Sequence, residues 1–378
     1  MLKFNENGKF GMLLFGDLHE KEDYLTSPKF RDMQKLMKAA VDEYKPDLCV
    51  LLGDNFDTGL CKRDPALYEQ GLRDMLKPAL EKNIPVAFIM GNHEHDADCD
   101  KEIIEACNRI EGIIIRPDGA GGKADFYEPV YSRDGKKPLA CLWFLDSNNL
   151  YEDRNLSHYD YVHTDQLEWF KKENGRITEE NGGIPLPSYI FQHIPVPEEY
   201  ELLRKAKIWE YPVSVKGYGT RSNVRYVGAK GTVGYVGEGP CAPDINNGQF
   251  DVWQKAGNVK AAFFGHDHLN DFSGYARGIF LAQHKTAGFR AYTDGCRSCV
   301  RYVELDENAP GDFYQELKRF KEFGLRSESL GPIFRTITDR QSMALHFCAQ
   351  ALGAAAALTA AAYTVYYLTA GGKTNVKK

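Results

Sequence analysis

Five short polar motifs each follow an apolar run of strand length, and their side chains are of the kinds that bind metal ions. In chain order they are Gly16-Asp17-Leu18-His19, Gly53-Asp54-Asn55, Gly91-Asn92-His93-Glu94-His95, Gln192-His193 and Gly265-His266-Asp267-His268. Asparagine and histidine buried at such places need polar partners, because an unpaired polar group inside a protein is costly. A metal ion or a phosphate group would supply those partners.

Seven side chains in these motifs can donate oxygen or nitrogen to a metal: Asp17, His19, Asp54, Asn92, His193, His266 and His268. They suffice for two divalent ions if one carboxylate bridges the pair. The set contains no thiolate, which disfavours a structural zinc site and favours Mn, Fe or Zn in open coordination. Two such ions, ~3.5–4 Å apart, lower the pKa of a bound water toward ~7 and stabilise the oxygens of a phosphoryl displacement. The pattern therefore favours hydrolysis of phosphate esters.

The elements that must position these motifs follow an alternating pattern of strands and helices. Apolar runs predict strands at residues 10–15, 48–52, 84–90, 188–191 and 259–264, each directly before a motif. Apolar residues at helical spacing predict helices at residues 33–41 and 72–80, so residues 1–90 form a parallel α/β sheet. Because such sheets bind ligands at the carboxyl ends of their strands, we expect the motifs to converge at one edge of the sheet.

The same alternation continues along the chain. It predicts strands at residues 139–145, 279–282 and 299–305, helices at residues 101–109 and 164–172, and a short helix on the rim at residues 317–323. The catalytic domain is expected to span residues 1–325. Residues 195–248 are rich in Gly, Pro and Tyr, which is typical either of loops that shape a substrate pocket or of a mobile surface excursion.

Composition excludes some classes of function. The net charge of -6 and the pI near 6.0 make a broad nucleic-acid-binding surface unexpected. The nine scattered cysteines do not indicate a disulfide framework, and residues 1–9 leave no room for a signal peptide before the first strand. We therefore expect a catalytic domain in the reducing cytoplasm. Cys296-x-x-Cys299 lacks a second pair of ligands at zinc-finger spacing and is interpreted as two ordinary thiols.

The C-terminal region has a different character, because residues 341–372 contain no Asp, Glu, Lys or Arg. Residues 343–370 are predicted to form a transmembrane helix, with residues 326–342 as a linker and residues 371–378 as a basic tail. Tyr363, Tyr366 and Tyr367 suit a membrane interface. The alternative is a hydrophobic helix that packs on the domain or on a second copy of the chain.

Together the motifs D-x-H, G-D-x, G-N-H-E, a lone His and G-H-x-H, in this order across residues 10–305, resemble the calcineurin-like metallophosphoesterase superfamily. Three segments, at residues 191–198, 247–250 and 265–272, are similar to the branch of plant purple acid phosphatase 29 and its bacterial relatives. The resemblance implies a four-layer α/β/β/α sandwich. In this α/β fold, helices cover the outer faces of two packed sheets.

The resemblance also implies a role for each motif residue. Asp17, His19 and His268 would hold the first ion, and Asn92, His193 and His266 the second. Asp54 would bridge the two ions alongside a hydroxide. His93 would be the catalytic residue that stabilises the phosphoryl oxygens and protonates the leaving alkoxide, which suits a side chain that titrates near neutral pH.

One position departs from the purple acid phosphatases, which place a tyrosinate on iron three residues after the bridging aspartate. Asp57 occupies that position, so we expect a colourless protein without a preference for iron. Several other polar residues are candidates for orienting ligands or lining the pocket, with exposed or unrelated positions as the alternative. They are Glu94, His95, Asp267, Asp271, Asp146, Ser147 and Asn148.

The function predicted from these features is metal-dependent hydrolysis of a phosphate ester, most simply a phosphomonoester, by an enzyme tethered to a membrane through its C-terminal helix. A phosphodiesterase acting on cyclic nucleotides or lipid headgroups is the alternative within enzymes. An alternative of another class is a non-catalytic, membrane-tethered metal-binding scaffold. His93 argues against the scaffold, because a site without catalysis has no use for a proton donor.

Overall fold

The computed structural model describes residues 1–57, 59–96, 98–293, 295–332 and 340–371. Residues 333–339 of the predicted linker and residues 372–378 of the predicted basic tail lie outside the described residues.

Among the described residues, the strands are, in chain order, β1 (Leu2–Lys3), β2 (Lys9–Phe15), β3 (Leu48–Leu51), β4 (Val86–Phe88), β5 (Ile113–Ile114), β6 (Phe126–Tyr131), β7 (Pro138–Leu145), β8 (Ser188–Gln192), β9 (Leu203–Lys205), β10 (Val215–Lys216), β11 (Arg225–Gly228), β12 (Val259–Phe264), β13 (Ser273–Ala276), β14 (Ile279–Gln283), β15 (Cys299–Asp306) and β16 (Ala309–Arg319). The α-helices are α1 (Pro28–Tyr44), α2 (Leu60–Arg63), α3 (Pro65–Leu80), α4 (Asn92–His95), α5 (Asp100–Asn108), α6 (Thr164–Glu180), α7 (Gln249–Ala256) and α8 (Arg340–Gly371). Every predicted strand and helix lies on one of these elements except the helix predicted at residues 317–323.

Local sequence explains where the first two long helices begin. Ser27 caps α1, its side chain accepts a hydrogen bond from the backbone N–H of Lys29, and Pro28 occupies the first turn. Asp64 caps α3 in the same way, with its carboxylate accepting from Leu67 N–H at 3.0 Å. Such caps satisfy backbone donors that have no partner within the helix.

Two large sheets form the body. One has the strand order β1-β6-β7-β8-β12-β14-β13 and the other β16-β15-β2-β3-β4-β5, with β2, β3, β4 and β5 parallel. Helix α1 packs on the second sheet beside α3, and α7 packs on the first sheet beside α6. The four-layer α/β/β/α order expected from the resemblance is confirmed.

Strand β7 shows how the core divides into two layers. Leu142 and Phe144 face the second sheet, whereas Cys141, Trp143 and Leu145 face the layer of α6 and α7. This follows from the alternation of side chains along a strand. A row of stacked rings continues the inter-sheet layer across four strands, with centroid separations of 4.6, 5.3 and 5.3 Å between Phe126, Phe144, Phe191 and Phe263.

The prediction of a helix at residues 317–323 is wrong for residues 317–319. Strand β16 continues to Arg319 and forms a long antiparallel hairpin with β15, and a 3-10 turn then covers Phe320–Phe323. Leu317, Phe320 and Phe323 are spaced as on a helix, but cross-strand pairing, such as Leu317 with Arg301, decides the conformation. Contacts with the body continue past residue 325, since the Ser327 hydroxyl donates to Asp32 at 2.6 Å.

Residues 195–248 are not a structureless loop. They contain β9, β10 and β11, which form a separate three-stranded sheet in the order β10-β11-β9. We call residues 203–232 the excursion.

Helix α8 contains the 23-residue stretch Phe347–Thr369, which is long and apolar enough to cross a membrane. Its side chains are exposed, as Leu352 and Leu358 at 72% each illustrate. Length and composition therefore permit a membrane span.

Candidate metal centre

The strands before the five motifs belong to two different sheets. β2, β3 and β4 deliver Asp17, Asp54 and Asn92 from one sheet, whereas β8 and β12 deliver His193 and His266 from the other. The expectation of a single sheet edge is therefore wrong. The motifs nevertheless meet, because the carboxyl ends of both sheets open on the same side of the sandwich.

The backbone is unusual at four of the motif residues. Asp17, His19, Asp54 and His266 have φ angles of 56°, 49°, 54° and 76°. This left-handed region is uncommon for residues other than glycine, and residues held there cluster at functional sites. The sharp turns that follow the strands aim these side chains into one buried space.

The first group contains Asp17, His19 and His268, whose donor atoms all lie within 4.8 Å of one another. Nε2 of His19 is 3.1 Å from Nε2 of His268, and that nitrogen is 3.6 Å from Oδ1 of Asp17. Nδ1 of His268 donates to the carbonyl oxygen of Tyr292 at 3.0 Å. The proton is thereby held on Nδ1, so Nε2 presents a lone pair to the group.

The second group contains Asp54, His193 and His266, again within 4.8 Å. Nε2 of His193 lies 3.2 Å from Nδ1 of His266 and 3.1 Å from Oδ1 of Asn92. Nδ1 of His193 donates to the carbonyl oxygen of Leu52 at 2.7 Å, so Nε2 is the ring nitrogen that faces the group.

Asp54 lies between the two groups. Its Oδ2 is 3.2 Å from Nε2 of His193 in the second group and 3.6 Å from Nε2 of His19 in the first. The carboxylate is 2% exposed, so water does not screen its charge. One carboxylate can therefore contact an ion in each group.

The residues fit a pair of metal ions on the chemistry of their donors. Beside the second group, Oδ1 of Asn92 and Oδ2 of Asp54 lie 3.1 and 3.2 Å from Nε2 of His193, so a proton on that nitrogen or a metal ion must lie among the three atoms. Two imidazole nitrogens bound to one ion at roughly 2.0–2.1 Å would lie at a similar separation. The structure thus brings together all seven predicted ligands.

Burial sets the protonation states in the centre. It lowers the pKa of His19 and His266 well below the usual value and that of His268 to about 4, so these imidazoles are neutral and can bind metal. Burial also lowers the pKa of His193, but the Asp54 carboxylate outweighs burial and raises it to about 9. A proton and a metal ion therefore compete for Nε2 of His193.

Glu94 fixes the geometry of the loops that carry the ligands. Its carboxylate accepts hydrogen bonds at 2.8 Å from the backbone N–H groups of Gly91, Asp54 and Asn55. It thereby ties the end of β3 to the end of β4.

Replacing Glu94 with glutamine is expected to lower metal affinity by about 10–100-fold, the usual effect of losing a group that orients ligands. The new amide N–H₂ would face backbone donors instead of accepting from them. Competition with a chromogenic chelator measures the affinity, and Glu105→Gln, an exposed change on α5, is the control. Unchanged metal affinity in a folded Glu94→Gln protein would show that the loops keep their positions without the Glu94 carboxylate.

His93 stands at the entrance to the centre. Its Nδ1 is 2.7 Å from Oδ2 of Asp96, and its Nε2 is 4.0 Å from Oδ2 of Asp54. The side chain is 35% exposed, so a substrate can reach it. Burial lowers its pKa, but the hydrogen bond to Asp96 and the charge of Asp54 outweigh burial and raise the pKa to about 9.

A buried polar network supports the short helix α4 that carries His93. His95 lies 2.8 Å from both Asp100 and Asp146, and burial, which lowers its pKa, is outweighed by these carboxylates, which raise it well above the usual value. The backbone N–H of Asp146 donates to Asp125 at 2.8 Å, and Gln166 donates to Asp125 at 3.0 Å. The network joins α4 to the end of β7 and the start of α6.

The other polar candidates have different surroundings. Oδ1 of Asp267 accepts from the N–H of Cys241, and Oδ1 of Asp271 accepts from the N–H of Tyr235 at 2.6 Å, so both hold the segment that follows the excursion. The Ser147 hydroxyl accepts from Ile194 N–H at 2.9 Å, beside His193.

Asn148 lines an open pocket of about 450 Å³ next to α4, together with His95 and Lys123. This pocket adjoins the entrance at His93, because Asn149 also lines the pocket and donates at 3.2 Å to Asp96, the partner of His93. Three residues that support the site were not predicted from the sequence: Asp96, Asp125 and Gln166. Only Asp96 had a usable signal, since it follows His93 by three residues on a short helix.

Comparison with known proteins agrees with this geometry. Residues 12–270 match the family model described as Calcineurin-like phosphoesterase. The chain is 28% identical over 338 residues to "Probable inactive purple acid phosphatase 14" of Arabidopsis thaliana, covering 80% of this chain and 77% of that protein. It is 26% identical over 336 residues to "Probable inactive purple acid phosphatase 29" of the same plant, covering 81% and 79%.

Among solved structures, a dimetal phosphatase from Danio rerio is similar, with 14% identity and a TM-score of 0.46 over 82% of this chain and 99% of that one. The chain belongs to the calcineurin-like phosphoesterase family. Within that family it falls in the branch of the purple acid phosphatase-like proteins, as the sequence motifs predicted.

Proposed function

We propose that this protein is a metal-dependent phosphoesterase that hydrolyses phosphate monoesters. The observation that carries the proposal is the position of Asp54, whose one buried carboxylate lies between two groups of metal-ligand side chains. When bound, two divalent ions, Mn, Fe or Zn, supply Lewis acidity that activates water and holds the phosphoryl oxygens.

The protein's own residues position the reaction. Asp17, His19 and His268 would hold one ion and Asn92, His193 and His266 the other, while the hydrogen bonds of Glu94 keep the loops at fixed spacing. His93 faces the centre from the solvent side, and Asp96 fixes its Nδ1 so that Nε2 points inward. From there His93 can donate a proton to the leaving oxygen.

A non-catalytic metal-binding scaffold is the second candidate, because the names of the similar plant proteins include the word "inactive". This chain has both ligand groups and a histidine held at the entrance by Asp96. Those features favour catalysis.

The test is turnover of an aryl phosphate monoester and an aryl phosphate diester by the full chain with Mn²⁺ or Zn²⁺ added. We expect metal-dependent hydrolysis with the monoester preferred. A preference for the diester would make the protein a phosphodiesterase. Tight metal binding without turnover of either ester would favour the scaffold.

We further propose that α8 anchors a cytoplasmic catalytic domain to a membrane, supported by the exposed apolar stretch Phe347–Thr369. A chain truncated before Met343 is expected to remain soluble after lysis and to keep its metal-dependent turnover, whereas the full chain sediments with membranes. Cell fractionation followed by the aryl phosphate assay measures both properties. Full-length protein found entirely in the soluble fraction would contradict the anchor.

A further inference from the structure

The excursion ends in an exposed apolar tip. The connection between β9 and β10 contains the 3-10 segment Ile208–Val213, which we call the tip. Four of its six side chains are large, apolar and exposed: Ile208 at 76%, Trp209 at 72%, Tyr211 at 47% and Val213 at 50%. Single exposed apolar residues are ordinary, but a contiguous group of this kind marks an interaction surface.

The exposure is a consequence of how the excursion folds. Leu203 and Val215, on the strands that flank the tip, are only 7% and 8% exposed and pack inward. Paired strands hold them there, with Val215 opposite Tyr226 and Leu203 opposite Gly228. The excursion therefore buries one set of apolar side chains and directs the tip outward.

The tip lies within a strongly basic stretch of an acidic protein. Between residues 202 and 232 the cations are Arg204, Lys205, Lys207, Lys216, Arg221, Arg225 and Lys230, and Glu210 is the one acidic residue. Arg204 neutralises Glu210 at 2.6 Å. The whole chain carries a net charge of -6, so positive charge is concentrated on the excursion.

Basic and aromatic side chains on this surface are arranged in pairs. Nζ of Lys207 lies 5.3 Å from the centre of the Trp209 ring, and the guanidinium of Arg225 lies 5.5 Å from the centre of the Tyr211 ring. Tryptophan and tyrosine favour the boundary between lipid headgroups and acyl chains, while lysine and arginine extend their charges to headgroup phosphates.

We propose that the tip and its surrounding cations form a docking surface for a membrane that contains anionic lipids. Charge complementarity favours such a membrane, because cations near an anionic lipid surface are attracted to it. The exposed apolar helix α8 on the same chain points to the same partner. An acidic protein would match the charge but would give no reason for the apolar tip and the apolar helix to occur together.

The docking surface is connected to the metal centre. Tyr218, in the same excursion, stacks on Tyr159 with ring centroids 5.7 Å apart. The Tyr159 ring in turn lies at right angles to the ring of His266 at 4.2 Å. Docking at the tip therefore sets the position of the Tyr159 side of the metal centre relative to the membrane.

Tryptophan fluorescence of the full chain tests the proposal. Trp143 and Trp253 are fully buried and Trp169 is partly buried, so Trp209 is the exposed tryptophan. The chain is reconstituted into vesicles of phosphatidylcholine and phosphatidylserine with brominated acyl chains, which quench only indoles that enter the bilayer. We expect strong quenching, its loss in Trp209→Phe, and a decrease of at least twofold in Lys205→Glu/Lys207→Glu and in vesicles of phosphatidylcholine alone.

Ile184→Ser is the matched control for Ile208→Ser, because Ile184 is 63% exposed but lies outside the excursion. Quenching of Trp209 should fall in Ile208→Ser and stay unchanged in Ile184→Ser. Protein that floats with the vesicles while Trp209 remains unquenched would overturn the proposal. The proposal would also be overturned if acrylamide in the water failed to quench Trp209 in the absence of vesicles. That result would mean that a second copy of the chain covers the tip. Neither readout depends on turnover, so an inactive enzyme would leave the test intact.

Discussion

Asp54→Asn is expected to lower metal-dependent hydrolysis of an aryl phosphate by about 10³-fold, because a metal ion contributes several kcal/mol to stabilising a phosphoryl transition state. Asparagine keeps the size of the side chain but removes the charge that lies 3.2 Å from His193 and 3.6 Å from His19. An amide has one oxygen and no net charge, so it bridges two cations poorly. We also expect the bound metal to fall from two ions per chain to one.

Turnover and elemental analysis of the purified protein measure these two effects separately. Asp306→Asn makes the same chemical change at a half-buried aspartate that pairs with Lys9 at 3.0 Å, away from the metal centre, and it should leave both quantities unchanged. Thermal unfolding shows whether each variant is folded. A folded Asp54→Asn protein with two bound ions and normal turnover would refute the bridged centre and with it the proposed function.

The strands and the ligand set could be predicted because their signals are local. An apolar run that ends in Asp, Asn or His identifies β2, β3, β4, β8 and β12 without knowledge of their partners. The division of these strands between two sheets depends on pairing across the chain, such as Ser188 with both Cys141 and Val259. No short window of sequence contains that information, so the prediction of one sheet edge was wrong.

The residues around the ligands divide in the same way. Glu94 and Asp96 lie within four residues of Asn92 and can be found from the motif itself. Asp125 and Gln166 reach Asp146 from a loop and a helix that are 21 and 20 residues away, so only the folded structure brings them together. The end of β16 was wrongly predicted to be helical for the same reason. Cross-strand contacts with β15 outweighed the local helical spacing.

His93→Ala is expected to lower kcat by about 10²–10⁴-fold, the usual contribution of a positioned general acid. The loss should depend on the leaving group. An alkyl phosphate leaves as a strongly basic alkoxide and needs the proton, whereas a nitrophenolate is stable without it. We therefore expect the largest loss with an alkyl phosphate and a much smaller loss with a nitrophenyl phosphate, at an unchanged content of two metal ions.

His163→Ala is a closely matched control, because His163 pairs with Asp160 at 2.8 Å in the same three-residue spacing that joins His93 to Asp96 at 2.7 Å. It removes an equivalent ion pair at a site that does not contact the metal centre. An equal loss of kcat for both esters in His93→Ala would mean that His93 stabilises the phosphoryl oxygens and donates no proton. Because the metal content is measured in the same samples, a loss caused by a damaged centre would be recognised from missing ions.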